Sequence, residues 1–333
     1  MPTDRLLLVV TSPRLPPGLL SWQGWQALRS GPVLAADPES AQARAVHAAG
    51  VPVGRLVADD DRALAAAFRE QARAAHVAVW LAGPDGDPGF ARALADLLTD
   101  DGSAQLEVVY GSWDPPGARL LDVVSTMDRL RSPGGCPWDA EQTHQSLMPY
   151  LLEEAYEAYQ ALEDGDLAAL REELGDVLLQ VAFHARLAEE AEAPWSVDDV
   201  AGDLVDKLVR RHPHVFADVA VTGAGEVAAN WDEIKRAEKG RTSVTEGVPM
   251  ALPALILAST LQRRAARAGL PDHLDDLVGM VHGGDLAGID RHGLGARLFD
   301  LVGEARESGE EAEAALRAVC RVYRDALLTA ESG

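Results

Sequence analysis

Four carboxylates in the middle of this 333-residue chain are spaced so that they could bind a metal ion together. Glu154 and Glu157 lie three residues apart, and a second pair, Glu173 and Asp176, repeats that spacing. Residues three apart share one face of an α-helix, so each pair would project from one side of its helix. Two carboxylates about 4 Å apart repel by about 4 kcal/mol at an effective dielectric constant of roughly 20, and a cation or a proton would relieve that repulsion.

The type of donor favours a hard divalent cation. Carboxylate oxygens suit Mg²⁺ or Mn²⁺, whereas a zinc hydrolase would use His or Cys ligands. A di-iron site in a helical bundle needs Glu-x-x-His pairs, and none accompanies these acids; His184 follows Asp176 by eight residues. The alternative interpretation is that a chain with 53 acidic residues places some at helical spacing by chance, on solvated faces.

Two amphipathic helices are predicted to position these acids. Apolar residues recur at helical spacing through 147–162 and again through 170–185. Between them, EDGDL (163–167) supplies a glycine to end the first helix and Asp166 to cap the second. So tight a connection pairs the helices antiparallel, which lets the acidic pairs meet, partly buried at the interface. The acids border positions expected in the core, namely Leu151, Ala155, Leu174 and Val177.

Basic and aromatic residues follow in the stretches 206–216 and 230–239, where the local charge reverses sign. Arg fits phosphate oxygens in two-point contacts and Lys acts as a point charge, so these stretches suit a polyphosphate. Trp138 or Trp231 could stack on a base. Lysines paired with neighbouring acids, and a Trp231 in the core, are equally open interpretations. The basic candidates are Lys207, Arg210, Arg211 and Lys235.

Composition excludes several classes of function. Lys and Arg total 30 against 53 Asp and Glu, a net charge of -23 that argues against a nucleic-acid polymer as partner. Cys136 and Cys320 are too few for a disulfide framework or a structural zinc site. No apolar run approaches the roughly 18–20 residues of a membrane span, and the N-terminus lacks a secretory-signal pattern. A cytoplasmic protein without a membrane partner is expected.

Three segments are predicted, which together form an α+β multidomain chain. Residues 1–111 alternate β-rich runs with Ala-rich helical stretches, a pattern typical of βα units on a mostly parallel sheet. Pro and Gly cluster near 111–118 and 247–253, so an all-helical segment is placed at 112–245 and a further helical one at 246–333. The predicted strands are 6–10, 32–36, 76–82 and 106–111.

The middle segment resembles the MazG family of all-α nucleoside-triphosphate pyrophosphohydrolases. The family pattern is E-E-x-x-E, a variable spacer, then E-x-x-D. It is present here as Glu153-Glu154-Ala155-Tyr156-Glu157 and Glu173-Leu174-Gly175-Asp176. The likeness covers about residues 119–240 and includes CPWD and RRHPHVF.

This resemblance implies a reaction and the residues that carry it. A nucleoside triphosphate (NTP) would be cleaved between its α and β phosphates, giving the monophosphate and pyrophosphate. Residues 207–211 and Trp231 would contact the nucleotide, and Glu153 is the candidate for orienting or deprotonating the attacking water. Family members form their sites in dimers of helical hairpins, so a homodimer or dimer-based oligomer is expected. The Mg²⁺ ligands implied are Glu154, Glu157, Glu173 and Asp176.

The flanking segments resemble units that accompany this family. Residues 1–111 are similar to a shortened tetrapyrrole-methylase-type unit, but Thr11-Ser12-Pro13 stands where its Gly-rich loop is expected. A structural or interaction role is therefore expected there, above cofactor binding. Segment 246–333 resembles a second, degenerate MazG unit in which Gly293 and Ala296 replace ligands, so it should bind no metal. The alternative functions are a non-catalytic nucleotide-binding or scaffold protein and, third, a methylase.

Overall fold

A computed structural model describes two compact units, Met1–Asp203 and Leu204–Gly333. The domain boundaries placed after residues 111 and 245 stay predictions. The described residues are 4–99, 104–217, 219, 221, 223, 225–227, 231, 243–273, 276 and 293–332.

The first unit begins with a small parallel β-sheet. Its strands lie in the order β3-β2-β4-β1-β5, and every neighbouring pair is parallel. The sequence predicts four of them and misses β3, because a three-residue Val-Gly-Arg strand carries no apolar run. The strands are β1 (Asp4–Val10), β2 (Val33–Ala35), β3 (Val53–Arg55), β4 (Val77–Leu81) and β5 (Ala104–Tyr110).

Helices pack on this sheet in two separate cores, as the alternating pattern predicts. Leu28 and Val46 are fully buried in one core. In the other, the Trp80 ring lies 5.7 Å from Phe68 and 4.5 Å from Phe90, measured between centroids. These aromatic contacts join β4 to the two helices that carry Phe68 and Phe90. The helices are α1 (Trp22–Leu28), α2 (Ala41–Ala48), α3 (Asp61–Ala75) and α4 (Pro88–Thr99).

A helical hairpin then positions the predicted acids. Gly165 ends its first helix at a φ of 70°, a left-handed conformation that favours glycine. Asp166 caps the second by accepting bonds from the backbone N–H groups of Ala168 and Ala169 at 2.9 and 3.0 Å. The turn chemistry predicted from EDGDL is thus confirmed. The helices here are α5 (Arg119–Arg131), α6 (Pro137–Glu141), α7 (Met148–Asp164) and α8 (Leu167–Ala188).

The side of the hairpin expected in the core is largely exposed, so that prediction is wrong. Leu151 is 41% exposed and Leu174 54% exposed, and Ala155 is exposed as well. Helical spacing identifies an apolar face but not the element that covers it, which explains the error. The small core of this part instead contains Met127, Leu147, Ala182 and Phe183.

The second unit is helical in its described residues. The sequence predicts a helix at 196–211 and helical structure toward the end of the chain, and both are present. A further helix predicted at 226–239 falls largely outside the described residues. No helix in the described part of the chain is long and apolar enough to cross a membrane. The helices, of which α9 crosses the division between the units, are α9 (Val197–Arg211), α10 (Pro213–Phe216), α11 (Ala254–Arg267), α12 (Leu294–Ser308) and α13 (Ala312–Ser332).

Candidate active site

The hairpin brings three predicted ligands together. One carboxylate oxygen from each of Glu154, Glu157 and Glu173 lies within 4.8 Å of the others. The i, i+3 spacing on α7 and the antiparallel approach of α8 produce this arrangement. Asp176 lies outside the 4.8 Å set, half-buried one turn further along α8. Together these four side chains are called the carboxylate cluster below.

The charges of the cluster oppose one another. Burial raises the pKa of Glu154 above its ordinary value, and the charges of Asp176 and Glu157 raise it further. Burial likewise raises the pKa of Glu173, followed by the charges of Glu157 and Asp176. Glu157 is exposed while the other three are half-buried, so the expected partial burial holds for three of the four. A bound cation would relieve this repulsion.

The donor set of the cluster fits Mg²⁺ or Mn²⁺. All its donors are carboxylate oxygens, which hard cations prefer, and it holds no His or Cys to favour zinc. Glu153, the residue predicted to act on water, is exposed beside Glu154 on α7. It is thus adjacent to the cluster in sequence and open to solvent.

Two of the predicted nucleotide contacts lie together in the second unit. The guanidinium carbon of Arg211 lies 5.4 Å from the ring centroid of Trp231, a cation–π contact. Arg211 is only 8% exposed, and Trp231 is half-buried. On α9, Lys207 is half-buried and Arg210 is exposed. Lys235, the remaining basic candidate, lies outside the described residues.

Trp138, the other candidate for base stacking, lies on α6 and is 51% exposed. Its ring meets that of Tyr150 edge to face, with centroids 6.1 Å apart. The Gln142 side chain donates a 2.9 Å bond to the Trp138 carbonyl oxygen. The Arg131 guanidinium donates to the carbonyl of Asp139 and, at 3.5 Å, to that of Gln142. Arg131 therefore holds the segment that presents Trp138.

Arg131 is a positioning residue that the sequence does not reveal. Its side chain is 5% exposed, and its Nε and Nη2 donate to the Glu190 carboxylate at 3.2 and 2.9 Å. The guanidinium carbon also lies 5.7 Å from the Phe183 ring centroid. The hydrogen bond from Arg131 is the largest cause that lowers the pKa of Glu190. An arginine in the last turn of a helix resembles any solvated one in sequence, so only the fold distinguishes it.

Two histidines lie in contact at the end of the hairpin away from its turn, His144 just before α7 and His184 near the end of α8. The Nδ1 atoms of His144 and His184 lie 2.8 Å apart, and the rings are parallel to within 2°. His184 is two helical turns beyond Asp176 on α8, on the same face. Helical periodicity alone could have placed His184 beside the cluster's face, although its partner His144 could not be found that way.

The end of β1 is filled by charged side chains where a Gly-rich loop was expected. Ser12 and Arg14 both bond to Asp114, the hydroxyl and the guanidinium each donating. Arg14 also donates to Asp122 from Nε at 2.8 Å and from Nη2 at 2.6 Å. The hydrogen bond from Arg14 is the main cause that lowers the pKa of Asp122. These contacts join the carboxyl edge of the sheet to α5.

Gly293 and Ala296, which stand in place of ligands in the predicted degenerate unit, lie at the start of α12. Gly293 is the N-cap of α12, and Ala296 is 6% exposed on the first turn of that helix. Across the residues whose positions are described, Glu154, Glu157 and Glu173 form the one group of three or more side chains that could hold a metal ion.

Known proteins resemble this chain in the same region. A sequence model of the MazG nucleotide pyrophosphohydrolase domain matches residues 142–216. The nucleoside triphosphate pyrophosphohydrolase of Escherichia coli K12 is 40% identical over 217 residues, which are 60% of this chain and 81% of that protein. The protein of that name from Mycobacterium tuberculosis is 50% identical over 159 residues. Those residues are 47% of this chain and 48% of that protein, so the match spans about half of the mycobacterial relative.

Two further matches extend this comparison. An uncharacterized 26.1 kDa protein from Streptomyces cacaoi is 49% identical over 252 residues, 74% of this chain and 98% of that protein. The crystal structure of a mazG-related protein from Thermotoga maritima covers 35% of this chain and 97% of its own, at 28% identity. Its TM-score is 0.30.

Proposed function

Because this chain belongs to the MazG nucleotide pyrophosphohydrolase family, we propose that it hydrolyses nucleoside triphosphates to the monophosphate and pyrophosphate, with Mg²⁺ as cofactor. The observation that carries the proposal is the carboxylate cluster, in which three carboxylates from two helices approach within 4.8 Å. Such a group of like charges stays ionised near neutral pH only at a cost that a cation removes. Among the relatives, the Escherichia coli and Mycobacterium tuberculosis proteins carry the name of this activity.

The cluster would hold Mg²⁺ through Glu154, Glu157 and Glu173, with Asp176 as the fourth acid. Bound there, the ion would polarise the phosphates, neutralise developing charge and lower the pKa of a water molecule. Mn²⁺ is the expected substitute, since it prefers the same oxygen donors. Glu153 is proposed to orient or deprotonate the attacking water, because it is exposed and adjacent to the cluster.

The polyphosphate would be bound by cations of α9 and the segment after it. The guanidinium of Arg211 lies 5.4 Å from the Trp231 ring centroid, and this contact restricts the side chain, so less conformational entropy would be lost when it binds phosphate. Trp138 offers the more exposed aromatic face for a base, since Arg211 covers one face of Trp231. The proposed phosphate contacts are Lys207, Arg210, Arg211 and Lys235.

We further propose that the active protein is a homodimer, or an oligomer built from dimers, formed through α7 and α8. Both helices leave large apolar side chains exposed, and a second copy of the hairpin would bury them. Sedimentation equilibrium tests this, and a monomer at working concentration would refute it. The exposed side chains are Tyr150, Leu151, Leu152, Tyr156, Tyr159, Leu162, Leu174, Leu179 and Val181.

The division of the chain into three domains and the cellular compartment are also part of the proposal. Segment 112–245 would be the all-α catalytic domain, and segment 246–333 a degenerate MazG-like domain without metal. Segment 1–111 would be an α/β domain with a structural role, because Arg14 and its partners fill the end of β1. The enzyme would work in the cytoplasm, on free nucleotides.

The test compares Glu157→Gln with wild type and with Glu192→Gln, an exposed glutamate beyond α8. Products are separated by anion-exchange chromatography during turnover of mixed NTPs, with and without Mg²⁺. We expect monophosphate and pyrophosphate from the wild type and from Glu192→Gln. Glu157→Gln should be slower by orders of magnitude, because a charge is removed from the metal site while the fold is kept.

Three outcomes would contradict the proposal in different ways. Diphosphate and inorganic phosphate as primary products would overturn the choice of bond. Wild-type turnover by Glu157→Gln at saturating Mg²⁺ would remove Glu157 from the ligands. Nucleotide binding without turnover in any metal would favour the alternative, a non-catalytic nucleotide-binding or scaffold protein.

A further inference from the structure

Two buried polar atoms of α8 have no hydrogen-bond partner among the described residues. They are Oε1 of Gln180 and Nε2 of His184. Gln180 is only 4% exposed, so solvent does not replace the missing partner of its amide oxygen. Buried polar groups are nearly always hydrogen-bonded, and leaving one unpaired costs free energy. These two atoms lie one helical turn apart on α8, so one polar group placed between them could pair with both.

These atoms continue the line of the carboxylate cluster. Asp176, Gln180 and His184 follow one another at intervals of four, so they share one face of α8. At 1.5 Å of rise per residue, Gln180 lies about 6 Å and His184 about 12 Å along the axis from Asp176. A nucleotide whose phosphates meet the cluster would extend its sugar and base over this distance.

The histidine is held in one orientation by its neighbour. Its Nδ1 lies 2.8 Å from the Nδ1 of His144, and one ring must donate while the other accepts. Burial lowers the pKa of His184, and His144 lowers it further, so the ring is neutral near pH 7. The loop that carries His144 is itself fixed, since the hydroxyl of Ser146 donates to Gln142 at 2.7 Å. Nε2 is thus presented in a fixed direction.

We propose that Gln180 and His184 form the subsite that binds the nucleoside part of the substrate. Oε1 of Gln180 would accept a hydrogen bond from an O–H or N–H group of the nucleoside, and Nε2 of His184 would accept one in the tautomer whose Nδ1 donates to His144. A ribose hydroxyl and the exocyclic amine of a base both offer that chemistry. The subsite rests on the proposed function for its substrate, and it makes Gln180 a determinant of which nucleotide is preferred.

The experiment uses full-length Gln180→Leu and His184→Phe, with Gln160→Leu as the matched control. Gln160 is an exposed glutamine of α7 whose amide already donates to Asp164 at 2.6 Å. Affinity for an α,β-methylene analogue of ATP is measured by calorimetry, and kcat/KM is compared among ATP, 2′-deoxy-ATP, 3′-deoxy-ATP and ITP. ITP lacks the exocyclic amine, and the deoxy compounds each lack one hydroxyl, so the panel separates the two sources.

We expect Gln180→Leu to weaken binding of the analogue by about tenfold. The kcat/KM values for the four nucleotides should differ less in this variant than in the wild type. Because the variant removes a buried amide oxygen that has no partner, its melting temperature should rise. His184→Phe should act in the same direction, which keeps the test valid if either variant fails to fold. Gln160→Leu should match the wild type throughout.

Unchanged affinity and unchanged ratios in folded Gln180→Leu and His184→Phe would overturn the subsite. A wild-type protein that binds the analogue but hydrolyses no nucleotide would instead contradict the proposed function. The binding measurement therefore separates the two failures.

Discussion

Replacing Arg131 by alanine should destabilise the first unit and loosen the segment that presents Trp138. The two bonds to backbone carbonyls contribute about 1 kcal/mol each. The pairing with Glu190 contributes less than about 1 kcal/mol, because that carboxylate is 45% exposed. The contact with the Phe183 ring adds about 0.5–1 kcal/mol. The loss is about 3 kcal/mol, and for a unit of this size it lowers the melting temperature by roughly 6–12 °C.

The assay is thermal unfolding combined with amide hydrogen exchange over residues 136–146. Exchange there should accelerate, and KM for NTPs should rise more than kcat falls, since Arg131 touches no reacting atom. Arg131→Lys should recover little of the loss, because an ammonium cannot bridge two carbonyls and a carboxylate at once. Arg129→Ala, an exposed arginine of the same helix, is the control and should melt with the wild type.

The effect should also depend on pH with a fixed sign. The pKa of Glu190 is lowered in the folded protein, mainly by the hydrogen bond from Arg131. Its pairing therefore stabilises the fold above the ordinary carboxyl pKa and is lost as the pH falls through the lowered value. The difference between wild type and Arg131→Ala should shrink in acid. A variant that melts with the wild type at neutral pH and shows unchanged exchange would refute the reasoning.

Three further predictions follow from the cluster and its flanks. Burial raises the pKa of Glu154 in the folded protein. Its ionised form therefore destabilises the fold above that pKa, and this penalty disappears as the pH falls through it. Without metal, in EDTA, Glu154→Gln should raise the melting temperature at pH 7 but not near pH 4. Gly293→Glu combined with Ala296→Asp should add no Mg²⁺ site by calorimetry, and Ala296→Asp alone should lower stability, because Ala296 is 6% exposed. A fragment of residues 112–245 should dimerise and hydrolyse NTPs, with reduced stability. The assignment of catalysis to this segment would be contradicted if the fragment dimerised without activity and became active when residues 246–333 were added.

The sequence predicts those parts of the fold that depend on interactions between residues close together in the chain, such as helix caps and turns. Gly165 and Asp166 specify the turn between α7 and α8 because a left-handed glycine and a capping carboxylate act on adjacent residues. Once that turn is tight, the meeting of Glu154 with Glu173 follows from helical spacing. The prediction that Leu151 is buried fails, because burial depends on an element far away in sequence or in another chain.

Contacts between distant residues account for what the sequence did not predict. Arg131 bonds to Glu190 across 59 positions, and His144 to His184 across 40. Neither pair has a spacing rule, because their approach is set by how α5 and the α6–α7 connection lie on α8. Gln180 differs, since its place beside Asp176 was available from periodicity; its missing hydrogen-bond partner was not.

The contacts of Arg14 have a consequence for how this protein could be rebuilt by recombination. Helix α5 begins after Ala118 without a side-chain cap, and its first-turn Asp122 receives the Arg14 guanidinium from the sheet. The same helix ends at Arg131, which fixes the segment of Trp138. Loss of the N-terminal segment would leave Asp122 with Arg119 of its own helix, which donates to it at 3.0 Å, as its cation. Another domain fused before residue 112 would therefore hold the start of α5 less firmly unless it supplied a second cation in place of Arg14.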